Sequence, residues 1–253
     1  MTFKELYDKL SVYYPKHLSC DWDNDGIMCA SNLDADVKNV LIALDVTMET
    51  IDYAIKHKFD TIISHHPLVF KAQKAISPLN YTQDKLIKLI KNDINAMSFH
   101  TRLDAGRGGV NDTLAKCLSL ENVSEDPSDS IGRVCELESE QALEDFVKCV
   151  KNALNAPYAS YIGKKAVKRV YLCGGDGKDM ISNAILCGAD TLVTGNASYN
   201  SMLDAEEMGL NIIEAGHFYT ENPVCIALEN IVKSILPSAR VEIFNSNKIK
   251  VVF

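Results

Sequence analysis

Four of the six histidines fall in three short segments: His65-His66-Pro67, His100-Thr101-Arg102-Leu103-Asp104 and Gly216-His217-Phe218-Tyr219-Thr220-Glu221. His, Asp and Glu together form a ligand set for divalent metals. Adjacent histidines in an extended backbone point to opposite sides, so His65 and His66 could serve two different ions. His217 and Glu221 are four apart and share a face if their loop runs into a helix. Pro223 fits a first helical turn, where its missing N–H is harmless. Asp104 has two oxygens with which to bridge. Five ligands of this kind, His65, His66, Asp104, His217 and Glu221, suit a two-metal site, which polarises a substrate and generates hydroxide from bound water. Mixed nitrogen and oxygen donors fit Zn, Mn, Fe, Co or Ni. His100 reads as a group that orients a ligand. His100 and Glu221 are the candidate catalytic residues for proton transfer.

Each of these residues also has a plainer role. Asp104 could cap the turn before Gly106, Gly108 and Gly109, and Glu221 could complement a helix N-terminus. Their joint placement in three segments is what points to a metal site. Other motifs say less. Gly174-Gly175-Asp176-Gly177 lacks both the spacing of a dinucleotide fingerprint and the lysine-serine pair of a P-loop, and reads as a tight strand-to-helix turn, with a phosphate contact as the other reading. Trp22-Asp23-Asn24-Asp25-Gly26 reads as a polar turn after a buried aromatic. No Ser-His-Asp or Cys-His arrangement stands out.

The elements that must position these residues follow an α/β pattern. Met1 to Tyr14 has helical spacing. Val40–Leu44, Thr61–Ser64 and Ala96–Phe99 are continuous apolar runs of the kind that form strands covered on both faces. Met48–Lys56 and Gln83–Lys91 have helical periodicity. The pattern returns later, with strands at Val170–Cys173, Leu192–Thr194 and Ile212-Ile213 and helices over Met180–Cys187 and up to Met208. Asp60-Thr61-Ile62-Ile63-Ser64 resembles Asp190-Thr191-Leu192-Val193-Thr194, and Asn95-Ala96-Met97 resembles Asn211-Ile212-Ile213, in the same order. This predicts a duplicated α/β unit. In it, Thr194-Gly195-Asn196 takes the place of Ser64-His65-His66. The three candidate segments all follow strands, where open α/β sheets place function. Between the halves, Glu121–Ser130 is acidic and polar and reads as a linker or long loop. Arg133–Leu137 reads as a strand and Gln141–Leu154 as a helix. The tail, Val241–Phe244 and Ile249–Phe253 around Asn245-Ser246-Asn247, reads as a terminal hairpin. The expected lobes are residues 1–125, with part of the C-terminal segment, and 126–253.

The chain has 253 residues, enough for one large or two small domains without disulfide or zinc staples. The 26 Lys and Arg against 34 Asp and Glu give a net charge of −8, with no basic run, which argues against nucleic acid and anionic lipid as partners. No apolar run is long enough to span a bilayer and no signal peptide is evident, so no membrane association is expected. No two of the eight cysteines are spaced Cys-x-x-Cys, and most lie in apolar stretches, as reduced core residues of a cytoplasmic protein would.

Ser64-His65-His66-Pro67, His100-Thr101 with Asp104, Gly108-Gly109-Val110-Asn111-Asp112, Thr194-Gly195 and Gly216-His217 with Thr220-Glu221 resemble the GTP cyclohydrolase I type 2 homolog family, also called NIF-three-like. Trp22-Asp23-Asn24 and Leu44-Asp45-Val46-Thr47 resemble it too, so the likeness runs in order from residue 22 to 221. It implies two similar α/β lobes with mostly parallel sheets, related by a pseudo-twofold, and a dinuclear metal site in the cleft between them. It also implies a homo-oligomer, a toroidal hexamer built as a trimer of dimers, in the short bacterial form. Carried over by position, His65 and His217 would bind one ion, His66 and Asp104 the other, and Glu221 would bridge. The implied activity is a dinuclear-metal-dependent hydrolase acting on a small nucleotide or pterin-like substrate, the family name pointing to GTP ring opening with formate release. The alternative is a non-enzymatic metal-binding regulator or toroidal scaffold. The sequence departs from the family's pattern in the segment Asn196-Ala197-Ser198-Tyr199-Asn200, and Arg102 stands where the family commonly has Asn. These departures bear on the substrate more than on metal binding.

Overall fold

A computed structural model describes residues 1–252. The chain divides into two units. The first comprises Met1–Leu103 and Cys225–Lys248, and the second comprises Asp104–Val224 and the chain from Ile249. The fold is mixed α/β, with one sheet in each unit.

In the first unit, Phe3, Leu6 and Leu10 repeat at helical spacing and bury one face of α1 (Phe3–Tyr13). There follow β1 (Gly26–Cys29), β2 (Asn39–Ala43), α2 (Met48–Lys56), β3 (Thr61–Ser64), α3 (Tyr81–Lys91) and β4 (Asn95–Ser98). The short helix α4 (Thr101–Ala105) contains the division between the units. In the second unit come α5 (Val110–Cys117), β5 (Glu121–Glu125), β6 (Arg133–Gln141), α6 (Leu143–Ala153), β7 (Ser160–Ile162), β8 (Val167–Asp176), α7 (Ile181–Leu186), β9 (Thr191–Asn196), α8 (Tyr199–Glu207), β10 (Asn211–Glu214) and α9 (His217–Glu221). The chain then passes through α10 (Val224–Ile235) to β11 (Arg240–Phe244), which joins the first unit's sheet.

The first sheet has the order β1-β4-β3-β2-β11, the second β5-β6-β8-β9-β10-β7. β2, β3 and β4 are parallel, as are β8, β9 and β10, and each trio is bordered beside its last strand by an antiparallel strand, β1 or β7. β11 adds a parallel strand to the first sheet, whereas β6 and β5 add antiparallel strands to the second. The buried runs explain the parallel trios. Along β8, Val170 and Leu172 enter one apolar cluster, with Phe146 and Val150 of α6, while Tyr171 and Cys173 enter another, with Ile181 and Ala184 of α7. In the first unit Leu41, Ile62 and Ala96 pack with Ile51, Ala54, Leu86 and Leu89 of α2 and α3.

The duplication extends to the polar clamps. Asp60 Oδ2 accepts from the backbone N–H groups of Lys38 and Asn39, and Asp190 Oδ2 from those of Lys168 and Arg169. Thr61 and Thr191 each donate to the other oxygen of that aspartate. Asn95 and Asn211 each bind backbone on the segment beside them, at Ser31 and Asn32 or at Lys165. Strand register is equivalent as well: Val40 pairs with Thr61 as Val170 pairs with Thr191.

Three expectations are corrected. Glu121–Ser130 is not a linker or long loop throughout, because Glu121–Glu125 forms the edge strand β5 on β6 and only 126–130 is irregular. The strand's alternation signal is absent because all five of its residues are exposed. The tail is no hairpin. Val241–Phe244 lies in β11, parallel to β2, whose apolar residues it extends, and 245–252 form no strand. Ser246 in the supposed turn is buried and hydrogen-bonded to Asp45; Phe253 lies outside the described residues. Gly174 to Asp176 belong to β8, not to a turn. Among the described residues no helix is long and apolar enough to cross a membrane.

Candidate metal centre

The buried strand β3 ends at Ser64, and His65 follows fully buried. His65 Nδ1 donates to the Phe99 carbonyl at 3.0 Å. A carbonyl only accepts, so in the neutral ring the lone pair sits on Nε2. His66 Nδ1 donates to Asp45 Oδ1 and His100 Nδ1 to Asp23 Oδ1, both at 2.8 Å. Tying Nδ1 to an acceptor fixes the tautomer and the ring orientation of a metal-binding imidazole. Burial alone would raise the Asp23 carboxyl, but hydrogen bonds from His100 and Thr101 outweigh it and hold it at about 2. Asp23 therefore stays an anion toward His100.

The sequence suggested that His65 and His66 point apart. Their rings instead converge, with centroids 4.8 Å apart, and His100 lies 5.2 and 5.8 Å from them. The reason is local: β3 has ended, the chain bends, and Ser64 Oγ donates to the His66 carbonyl, so pleat alternation does not continue. One candidate ligand atom from each of His65, His66 and His100 lies within 4.8 Å of the others. His100 thus stands as a third imidazole of this cluster.

In the second unit α9 carries His217 and Glu221 one turn apart, with His217 Nε2 3.0 Å from Glu221 Oε2. His217 Nδ1 is held at 2.9 Å by Asn196 Oδ1. Glu221 is 5% exposed. Two glycines let α9 lie this close to the sheet. A Cβ on Gly175, whose φ is +69°, would stand 2.1 Å from Glu221 Oε1. A Cβ on Gly195 would stand 2.5 Å from the Gly175 carbonyl oxygen and 2.7 Å from His217 Cα. The glycine run therefore makes room for a carboxylate, with Thr220 Oγ1 accepting from Gly175 N–H. Asp104 lies in α4, not in a loop. Burial pushes the Cys173 thiol well above its ordinary range, and negative charge on Asp104 and Glu221 adds to this. Both carboxylates therefore act on the carboxyl end of β8.

Residues that received no role from sequence hold this machinery. Asn111 donates to the Asp104 carbonyl and accepts from Gly174 N–H. Arg102, fully buried, stacks over the Phe99 ring at 4.2 Å and donates through Nε to Asp25 Oδ2 at 2.7 Å, so it braces the start of α4. Asp45 and Asp23 orient imidazoles. Their signal was present, since each is an acid beside a strand end or turn, but their partners are 21 and 77 residues away.

Taken unit by unit, the donors suit a divalent metal: three imidazoles in the first unit and one imidazole beside a carboxylate in the second, each ring held at Nδ1 by an oxygen acceptor. Comparison with known proteins agrees in scale. The sequence model of the family Duf34/NIF3 (NGG1p interacting factor 3) matches residues 1–250. A GTP cyclohydrolase 1 type 2 homolog of Clostridium perfringens is 35% identical over 246 residues, covering 94% of each chain. NGG1-interacting factor 3 of Saccharomyces cerevisiae is 31% identical, covering 92% of this chain and 89% of its own. The crystal structure of a Staphylococcus aureus protein matches with a TM-score of 0.91 at 28% identity, covering 100% of this chain and 99% of the other.

Proposed function

The chain belongs to the Duf34/NIF3 family, and on that premise we propose that it is a hydrolase dependent on two divalent metal ions. His65, His66, Asp104, His217 and Glu221 would hold the ions. The observation that carries this reading is the shared arrangement of the imidazoles, each with Nδ1 on an oxygen. When bound, the ions would supply a polarised substrate and a nucleophilic hydroxide at neutral pH. The chain's own groups do the rest. Asp45 and Asp23 hold His66 and His100 in one tautomer. His100, 18% exposed and backed by an ionised Asp23, can take up a proton and pass it on. Asn196 orients His217 through Nδ1, and buried Glu221, beside its Nε2, is the second catalytic candidate, able to accept a proton from water. Substrates of the nucleotide or pterin-like class are proposed, GTP ring opening with formate release among them.

Assembly and location belong to the same proposal. The protein assembles as a homohexamer, a trimer of dimers forming a toroid, and it works in the cytoplasm, where all eight cysteines stay free thiols as they are here. A second reading, a non-enzymatic metal-binding regulator or scaffold, is favoured by the name of the yeast relative, which describes an interaction. Turnover assays separate the two. Glu221→Ala and His66→Ala should abolish hydrolysis across a nucleotide and pterin panel while the protein stays folded. A wild type without turnover on the panel, with partner binding unchanged in both variants, would favour the scaffold.

A further inference from the structure

The surroundings of the imidazole cluster in the first unit bear on the ligand itself, provided that the cluster is a metal site as proposed above. Trp22, the chain's one tryptophan, is not the buried aromatic that the sequence suggests but is 64% exposed, and Phe70 is 46% exposed. The two rings meet edge to face with centroids 6.1 Å apart, and each lies 6.2 Å from the His100 ring. An edge-to-face pair leaves ring faces open to a third π system. The pair is also fixed in place. Asp23, next to Trp22, is bound to His100 and Thr101, and Asn24 Nδ2 donates to the carbonyl of Val69, next to Phe70. Large apolar rings held in water beside a polar cluster are a preorganised stacking surface.

On the other flank, a cavity of about 220 Å³ is lined by His66, Asp45, Thr47, Thr82, Tyr81 and Lys85. Lys85 Nζ lies 5.0 Å from the Tyr81 ring centroid, and the charge of the Asp45 carboxylate acts on it. The carboxylate lining this cavity, Asp45, is already engaged by His66 Nδ1 and Ser246 Oγ. A cation with two hydroxyl side chains beside it suits an anionic group.

We propose that the ligand is a planar heteroaromatic ring carrying an anionic group, of the nucleoside monophosphate class. The ring stacks on Trp22 and Phe70, and the anion enters the Lys85 cavity. His100 and His66, with ring centroids 5.8 Å apart, lie where the two subsites meet.

The single tryptophan makes the test direct. Trp22 emission is titrated with guanosine 5′-monophosphate, adenosine 5′-monophosphate, guanosine and ribose 5-phosphate, on protein whose metal content is measured in the same samples. Both nucleotides should quench saturably, and ribose 5-phosphate should not. Phe70→Ala should weaken nucleotide and nucleoside alike by about tenfold, the scale of one lost stacking contact. Lys85→Ala should weaken the monophosphates and leave guanosine unchanged. Wild-type protein of normal metal content with no nucleotide quenching would overturn the proposal. So would guanosine binding as tightly as its monophosphate in both wild type and Lys85→Ala, or a Trp22 spectrum that changes only with protein dilution, which would make this surface a contact between copies. Absence of metal from the wild type would instead count against the metal-site reading, while saturable quenching in that protein would leave the ligand assignment standing.

Discussion

At the carboxyl ends of β2, β3 and β4 the chain places Asp45, His65 and His100; at the register-equivalent ends of β8, β9 and β10 it places Gly175, Gly195 and Gly216. The equivalence comes from pairing: Ala43 opposes Ser64 as Cys173 opposes Thr194, and Ser64 opposes Ser98 as Thr194 opposes Glu214. One frame thus presents donors in two ways. In the first unit the strand ends themselves carry imidazoles and the acids that orient them. In the second the strand ends are stripped of side chains, so that α9 can lie against them and supply His217 and Glu221. A duplicated scaffold need not duplicate its chemistry, because the positions that matter lie past the clamped starts of the strands, at or beyond their carboxyl ends.

The largest expected effect concerns the buried arginines, one serving each half. Arg102 and the Asp25 carboxylate are both fully buried, whereas Arg133 pairs with Asp112, which keeps 22% exposure. Arg102→Leu removes the fully buried partner of Asp25, leaving that carboxylate only Lys16, Ser19 and the His100 N–H, and should cost about 3–5 kcal/mol in chemical denaturation. Arg133→Leu should cost less, about 2–3 kcal/mol, since Asp112 can reach water. Equal costs would break this contrast. Next is Gly195→Ala. Its new Cβ meets backbone atoms that cannot swing aside, so the variant should lose about 3 kcal/mol and α9 should shift. A neutral result would mean that glycine is not what admits the helix. Asp60→Ala and Asp190→Ala remove matching clamps, each with two backbone N–H partners. Both should cost about 2 kcal/mol, and a large inequality would show that the repeat is one of shape only.

The smallest effect depends on pH. Burial would raise the Asp126 carboxyl, but hydrogen bonds from Tyr171, Ser128 and Asn183 hold it at about 2. Its folded value lies below its unfolded value, so its contribution is present above about pH 4 and lost as pH falls toward about 2, and it amounts to about 2 kcal/mol at most. An acid titration of stability should show the loss in wild type and not in Asp126→Asn.

Much of this was legible in the sequence because burial writes itself as apolar runs. Thr61–Ser64 and Met48–Lys56 emerge with the bounds that the runs suggest. Strands β1 and β7 do not, being four and three residues long with exposed or partly exposed positions. β5 is acidic and wholly exposed, and so reads as a linker. The histidines and Glu221 stand out by type and by their place after strands. Asp23, Asp45, Asn111 and Asn196 do not, because hydrogen bonds across 21 to 77 residues give them their roles. Arg102 looked like a change in the ligand-bearing segment, and in the structure it is a brace.

The proposed binding of divalent metal by His65, His66, Asp104, His217 and Glu221 is tested most directly by elemental analysis of the purified protein. The variants are His65→Ala, which alters only the first set of donors, and Glu221→Ala, which alters only the second, with circular dichroism as the folding control. The account predicts about two divalent ions per chain in wild type and loss of both in either folded variant. Metal-free wild type, even after addition of Zn, Mn or Fe, would contradict it, as would a metal content that neither variant changes.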